Sequence, residues 1–243
     1  MNAKLKDILV RYAVATVGLV LVALGVALSI ISNLGTAPLS CPAYVLNLRW
    51  PALSVGTFTL LINVAYMLLQ MALLRKDFKA RYLMQIVASA LFGYLIDGCI
   101  WVLDWLQPGT FAARFGLMLL SAVVTALGVS IEVLANAWML SAEMTVGAFS
   151  QVLKKPFSPL KIIMDSLVVV VSAVLAWFFF ANPFGFGAYT GLGDVLLART
   201  PGVVIGLGTL LLALLPGLMM RLTDPLVARW IKGIFDRTGC TPK

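Results

Sequence analysis

The chain has 243 residues, of which 61% are hydrophobic and 12% charged, and it contains no histidine. With a mean hydropathy of +1.01, this composition excludes a soluble globular domain and specifies a polytopic membrane protein. The net charge of +8 sits at the ends of apolar runs, so it reads as topology signal and contact with anionic lipid, with no nucleic acid as partner.

The first element is the apolar run from Tyr12 to Ser32, preceded by Lys4, Lys6 and Arg11. Its length exceeds a signal-peptide core, and the small residues Ala13 and Ala15 stand at its start, so it is a retained first span. Further runs at Ser54 to Leu74, Leu83 to Leu106, Phe115 to Ala135, Pro159 to Ala181 and Gly193 to Met220 bring the predicted spans to six. Each is long enough to cross about 30 Å of hydrocarbon as a helix. Arg75, Lys76, Lys79 and Arg81, then Lys154, Lys155 and Lys161, then Arg221, Arg229 and Lys232 all fall on the side of the N-terminus, whereas the other side holds only Arg49, Arg114 and Arg199. The positive-inside rule therefore makes both termini cytoplasmic, with residues 221–243 as a cytoplasmic tail. Trp50, Trp101, Trp105 and Trp177 fall near outer ends, where an aromatic belt belongs.

Two connections are too long and too apolar for simple loops. Asn33 to Leu53 is punctuated by Gly35, Pro38, Pro42 and Pro51, and Asn136 to Phe157 matches it in length. Each has room for a short helix, with Ser40 or Ser141 as the N-terminal cap. They are read either as re-entrant segments lining a cavity, since non-helical backbone at membrane depth must be covered, or as interfacial helices. Laying Ala23 on Ala126 makes Ala-Leu-Gly-Val recur and sets Asn33 on Asn136. Three spans separate the copies, so they run in opposite directions: the fold class is an all-α bundle of six transmembrane helices forming a 3+3 inverted repeat, in one domain with halves 12–106 and 115–220.

The same comparison sets Gly93, closing QIVASALFG, on Gly202, closing DVLLARTPG, and Gln85 on Asp194. In this layout the chain resembles the YczE/YitT-like family of bacterial integral membrane proteins, whose halves carry a glycine-rich G-x-G-T followed by an apolar run to a second glycine. Here the second copy reads Gly191-Leu-Gly193-Asp194, with aspartate in place of the threonine, and Tyr82 to Gln85 lacks both glycines. The resemblance implies a multi-pass protein of a bacterial inner membrane with a transport-related activity, and says more about fold than about substrate.

The acids carry the functional argument. Glu132 and Glu143 interrupt the run from Ala126 to Gly147, and an intramembrane carboxylate costs at least ~2.5 kcal/mol, so it is presumed functional. For Glu132 the bland alternative is snorkelling or a pair with Lys154, and for Glu143 a carboxylate favoured at a helix start. Asp97 lies deep in the third span, where Arg199 in the sixth, close to Asp194, is its expected partner, for proton coupling or as structural glue. Lys161 and Asp165 have the spacing of a local ion pair. Asn63 suits helix glue.

Without histidine, and with Cys41, Cys99 and Cys240 in no ligand pattern, neither metal nor cofactor is expected, and the cysteines are read as free buried thiols unless Cys41 and Cys99 lie close enough to pair. With no histidine, no Ser-Lys or paired-Asp motif in a recognisable context and no cofactor fingerprint, an intramembrane enzyme is the least favoured reading. The reading is a small secondary transporter for a small polar or charged solute, bound by Glu132, Glu143, Asn136, Asn33, Thr36 and Ser40, in contact with membrane lipids and compatible with a homodimer. The alternatives are a non-transporting accessory or regulatory protein and the ligand-capture subunit of a larger transporter.

Overall fold

The computed structural model describes residues 3–75, 80–135, 137, 140–155, 157–184 and 202–238. Among these the chain is helical and forms no sheet: α1 Ala3–Ser32, α2 Cys41–Arg49, α3 Val55–Leu74, α4 Met84–Leu103, α5 Phe111–Ala135, α6 Ser141–Leu153, α7 Phe157–Phe180 and α8 Leu207–Thr238. Five of them, α1, α3, α4, α5 and α7, are long and apolar enough to cross a membrane, which makes this a helical, multi-pass membrane protein. Of the sixth predicted span, residues 193–201 lie outside the described residues. From Leu207 the chain is helical to Thr238, well past Met220 and into the residues read as a tail. The reason is a stripe of Val227, Ile231 and Phe235, one turn apart and packed with Val14, Ala15, Ile131 and Ala135. Hydropathy falls there, but helical periodicity does not.

The centre of the bundle is the antiparallel pair α1 and α5. Lipid tails give apolar helices no hydrophobic reason to associate, so close packing of small residues supplies the attraction. A Cβ on Gly18 would lie 2.8 Å from the Gly128 carbonyl oxygen, and one on Gly128 would lie 2.7 Å from the Gly18 oxygen. Two turns further along α1, Gly25 meets Ser121 and Thr125, and Ser121 donates its hydroxyl to the Gly25 carbonyl at 2.7 Å. The pairing fixes two ends of the bundle. At the near end the start of α1, the end of α5 and the end of α8 meet: buried Arg11 pairs with Asp7 at 3.0 Å, reaches the Ala135 carbonyl at 3.5 Å and sits 4.9 Å over the Phe235 ring. A cation on the last carbonyls of α5 complements its dipole.

At the far end α1 stops at Asn33, whose φ of 54° is the left-handed conformation asparagine tolerates in a helix-ending residue. Gly35 follows with φ 119°, and its Cβ would press on Thr209, so only glycine fits. Helices α3 and α4 form an antiparallel hairpin in backbone contact at Gly56 and Gly93, with α4 packed on α1 through Phe92, Ile96, Val22 and Val26. The short helices cross over: α2 packs on α7 and α6 packs on α3, each lying against a spanning helix from the other part of the chain.

Replacing Gly128 with valine should destabilise the fold by about 1–3 kcal/mol through overpacking. Gly116→Ala, at an exposed helical position with nothing within 4 Å of the added carbon, should instead raise stability by about 0.4–1 kcal/mol through helix propensity. Thermal unfolding in mild detergent reads both.

Candidate functional site

The residues expected to bind solute divide between the two ends. Asn33 and Thr36 hold together the far-end crossing of the chain. The Asn33 Oδ1 accepts the backbone N–H groups of Gly202 and Val203, both at 3.0 Å. Thr36 donates its backbone N–H to the Val204 carbonyl at 3.0 Å and its hydroxyl to the same oxygen at 3.3 Å, while Thr209 adds a third donor to it at 3.1 Å. Backbone leaving helical form at this depth must find partners inside the protein. Here side chains and the facing strand supply them. Ser40 is buried at the head of α2, yet its hydroxyl makes no capping bond; Pro42 sets that helix start instead. Ser141 likewise lies inside α6, whose cap position is Leu140. Cys41 is a buried free thiol, and Cys99 is free and half-buried.

Asp97 also has a structural occupation. Its Oδ2 accepts the Ser54 hydroxyl at 2.6 Å and its Oδ1 accepts the Gly56 N–H at 2.8 Å. Ser54 in turn caps α3 by accepting the Thr57 N–H at 3.1 Å. A carboxylate at a helix N-terminus satisfies orphan donors and opposes the positive end of the dipole. The sequence reading sought a cation for Asp97, and both its oxygens are taken by the first turn of α3. Asn136, Asp194 and Arg199 lie outside the described residues.

Glu132 is different. It is 7% exposed, on the face of α5 that meets Gly18: a Cβ there would lie 2.9 Å from Glu132 Cγ. Glycine at that position is what makes room for the acid. One carboxylate oxygen, Oε1, is buried without a hydrogen-bond partner, and Glu132 makes no bridge to Lys154, which is exposed. The charged group within electrostatic reach of it is Glu143, in the first turn of α6. Ala135 packs with the near-end residues, whereas Leu140 already belongs to the interior cluster of Leu19, Val22 and Phe92. Helix α6 therefore starts inside the bundle, with half-buried Glu143 in its first turn.

Around Glu143 stand Lys161 and Asp165 of α7, both within electrostatic reach of it. They form the local pair expected from their spacing, with Nζ 3.3 Å from Oδ1. Tyr66 of α3 faces Asp165, and its carbonyl accepts the Thr145 hydroxyl of α6 at 3.1 Å, which fixes α6 against α3. A cavity of about 350 Å³ opens at the far end, lined by Asn33, Asp104, Arg114 and Gly202 among others, whereas the cluster around Glu143 comprises three carboxylates, one ammonium and a phenol on α5, α6, α7 and α3. The far-end residues are not part of it: Gly18 and Asn33 are separated by about 22 Å along α1 at the helical rise. Sequence reasoning gave Asp165 little weight and did not single out Tyr66. The spacing of Lys161 and Asp165 was a signal for a pair, and nothing local announced that Glu143 would join it. Among the described residues no histidine, cysteine and carboxylate cluster suits a metal ion.

The chain belongs to DUF6198, a family of unknown function, whose model matches residues 9–225. The match takes in every element that builds the pocket. No curated protein and no solved structure matches the chain.

Removing the Asp97 carboxylate with alanine should cost about 1.5–3 kcal/mol, the scale of a hydrogen bond to a charged group. Asn33→Ala, which orphans two buried N–H groups, should cost about 1–3 kcal/mol. Unfolding midpoints in detergent measure both.

Proposed function

We propose that this protein is a small secondary transporter that moves a small polar or charged solute by alternating access, with its intramembrane carboxylates taking part in coupling. The observation that carries this reading is Glu132: a buried acid with an oxygen lacking a donor, set where α5 gives way to a helix that starts inside the bundle. Sites at an interruption near mid-membrane are the common plan of transporters built from inverted repeats. A six-span 3+3 arrangement is supported by the central contacts. When Ala23 is laid on Ala126, Gly18 falls on Ser121 and Gly25 on Gly128, so the contact of Gly18 with Gly128 exchanges with that of Gly25 with Ser121. The crossing of α2 onto α7 and α6 onto α3 exchanges in the same way. The clustering of basic residues argues for cytoplasmic termini in a bacterial inner membrane, and the layout fits kinship with YczE/YitT-like proteins.

A second reading, an accessory protein for a membrane partner, is favoured by α7, which leaves Ile163, Val170, Val174, Trp177 and Phe178 exposed. Lipid covers such a face as readily as protein does.

A thermal-shift screen of amines, amino acids, sulfonates and nucleobases identifies the solute, since a ligand of the folded state raises apparent stability. In proteoliposomes, Glu132→Gln and Glu143→Gln should each slow its uptake at least about tenfold, the loss of roughly 1.4 kcal/mol. Unchanged uptake in both variants, with and without a proton gradient, would remove the transporter reading.

A further inference from the structure

We propose that the pocket selects a small cation bearing N–H donors, an alkylammonium, and that a proton competes with it at Glu132. The inference rests on the acid cluster being the solute site, and deepens that reading by naming the solute class.

The charge inventory of the pocket decides the sign of the ligand. Glu143 and Asp165 share a single ammonium, Lys161, which is bound to Asp165 at 3.3 Å, and the charged group within reach of Glu132 is Glu143. That leaves buried Glu132 within electrostatic reach of half-buried Glu143 and of no cation. Like charges at low dielectric repel strongly, so an entering anion would add to an existing penalty and an entering cation would relieve it. The first turn of α6 is the pocket's other potential anion site, and Glu143 of the chain itself occupies that turn. On the α1 side the wall is Gly18, which brings neither charge nor donor.

The donor inventory decides the ligand's chemistry. Glu132 Oε1 is 93% buried with its side chain and has no donor, and leaving a buried charged acceptor unsatisfied is costly. Two sources can supply what it lacks: a proton carried on the carboxyl itself, or an N–H of the solute. A quaternary ammonium offers neither. Binding of an alkylammonium to the protonated carboxyl then releases one proton for each cation taken up, and charge in the pocket is unchanged. The groups facing Glu132 and its neighbours in this exchange are Glu143 on α6, Lys161 and Asp165 on α7 and Tyr66 on α3.

The test uses the full chain in lipid nanodiscs with methylammonium, tetramethylammonium and acetate as probes at matched ionic strength. Methylammonium should raise the unfolding midpoint, release protons into a weakly buffered solution, and bind more weakly as the pH falls. Tetramethylammonium and acetate should do none of these. Glu132→Gln should weaken methylammonium at least about tenfold, while Glu132→Asp, which keeps the charge, shows whether the position tolerates change. Lys161→Gln, which removes the resident cation, should tighten methylammonium several-fold, an effect no loss of folding produces. The proposal fails if acetate or tetramethylammonium stabilises as well as methylammonium, if Glu132→Gln binds like the parent chain, if Lys161→Gln binds more weakly, or if methylammonium does not stabilise at up to ~100 mM. Binding with this signature but no uptake would overturn alternating access alone. Uptake of an anion or a neutral solute would overturn the cation class and leave transport standing.

Discussion

The contact of α1 with α5 is the constraint on which the rest of the molecule depends. Between helices in lipid, attraction comes from van der Waals contact at short range and from interhelical hydrogen bonds, and both demand small side chains where the backbones cross. Gly18, Gly25, Gly128 and Ser121 meet that demand. The consequence for chemistry follows from geometry: with no side chain at Gly18, Glu132 lies directly over the α1 backbone, buried from both lipid and water. The residues that permit the fold are also those that isolate its acid.

Much of the fold was legible in the sequence. Apolar runs located four spanning helices to within about four residues at either end, and the end of α1 at Ser32, whereas α1 begins at Ala3, nine residues before the predicted Tyr12. The left-handed stop at Asn33 follows from a residue type that tolerates positive φ, followed by glycine and proline. Hydropathy alone did not show how far α8 extends, because Val227, Ile231 and Phe235 pack as a stripe among polar neighbours. Charge was harder to interpret. For Asp97 the residue type suggested an ion pair, but its partners are the backbone of Gly56 and the hydroxyl of Ser54, and backbone donors carry no mark in a sequence. Lys161 and Asp165 are a local pair and were readable as one. Their approach to Glu143 depends on how α6 lies against α3 and α7, a tertiary fact fixed by contacts such as Thr145 to the Tyr66 carbonyl.

The two interruptions in the helices treat their polar groups in opposite ways. At the far end, Asn33, Thr36 and Thr209 bind the exposed backbone of residues 202–206, leaving a closed network. At the near side of the bundle, the turn after α5 leads to Glu143, which makes no ion pair within 4.0 Å among the described residues, and to a Glu132 oxygen without a donor. A satisfied network rigidifies, and an unsatisfied one is where a protein has capacity to bind. Among the described residues, the first break is closed by its own side chains, and the acid left without a donor stands beside the second.

The anchoring of α1 has a mechanical consequence. Arg11 ties its beginning to the last carbonyl of α5 and the ring of Phe235 on α8, and Leu34 and Thr36 tie its exit to the entry of α8 through Gly208 and Val204. A helix clamped at both ends to the same neighbours behaves as a fixed post. The α3–α4 hairpin, cross-braced by Asp97, has the form of a stiff panel leaning on that post, and its face toward α6 and α7 is the seam along which Tyr66, Glu143 and Asp165 meet. The acids thus stand at a seam between helices, beside a post that is tied at both of its ends.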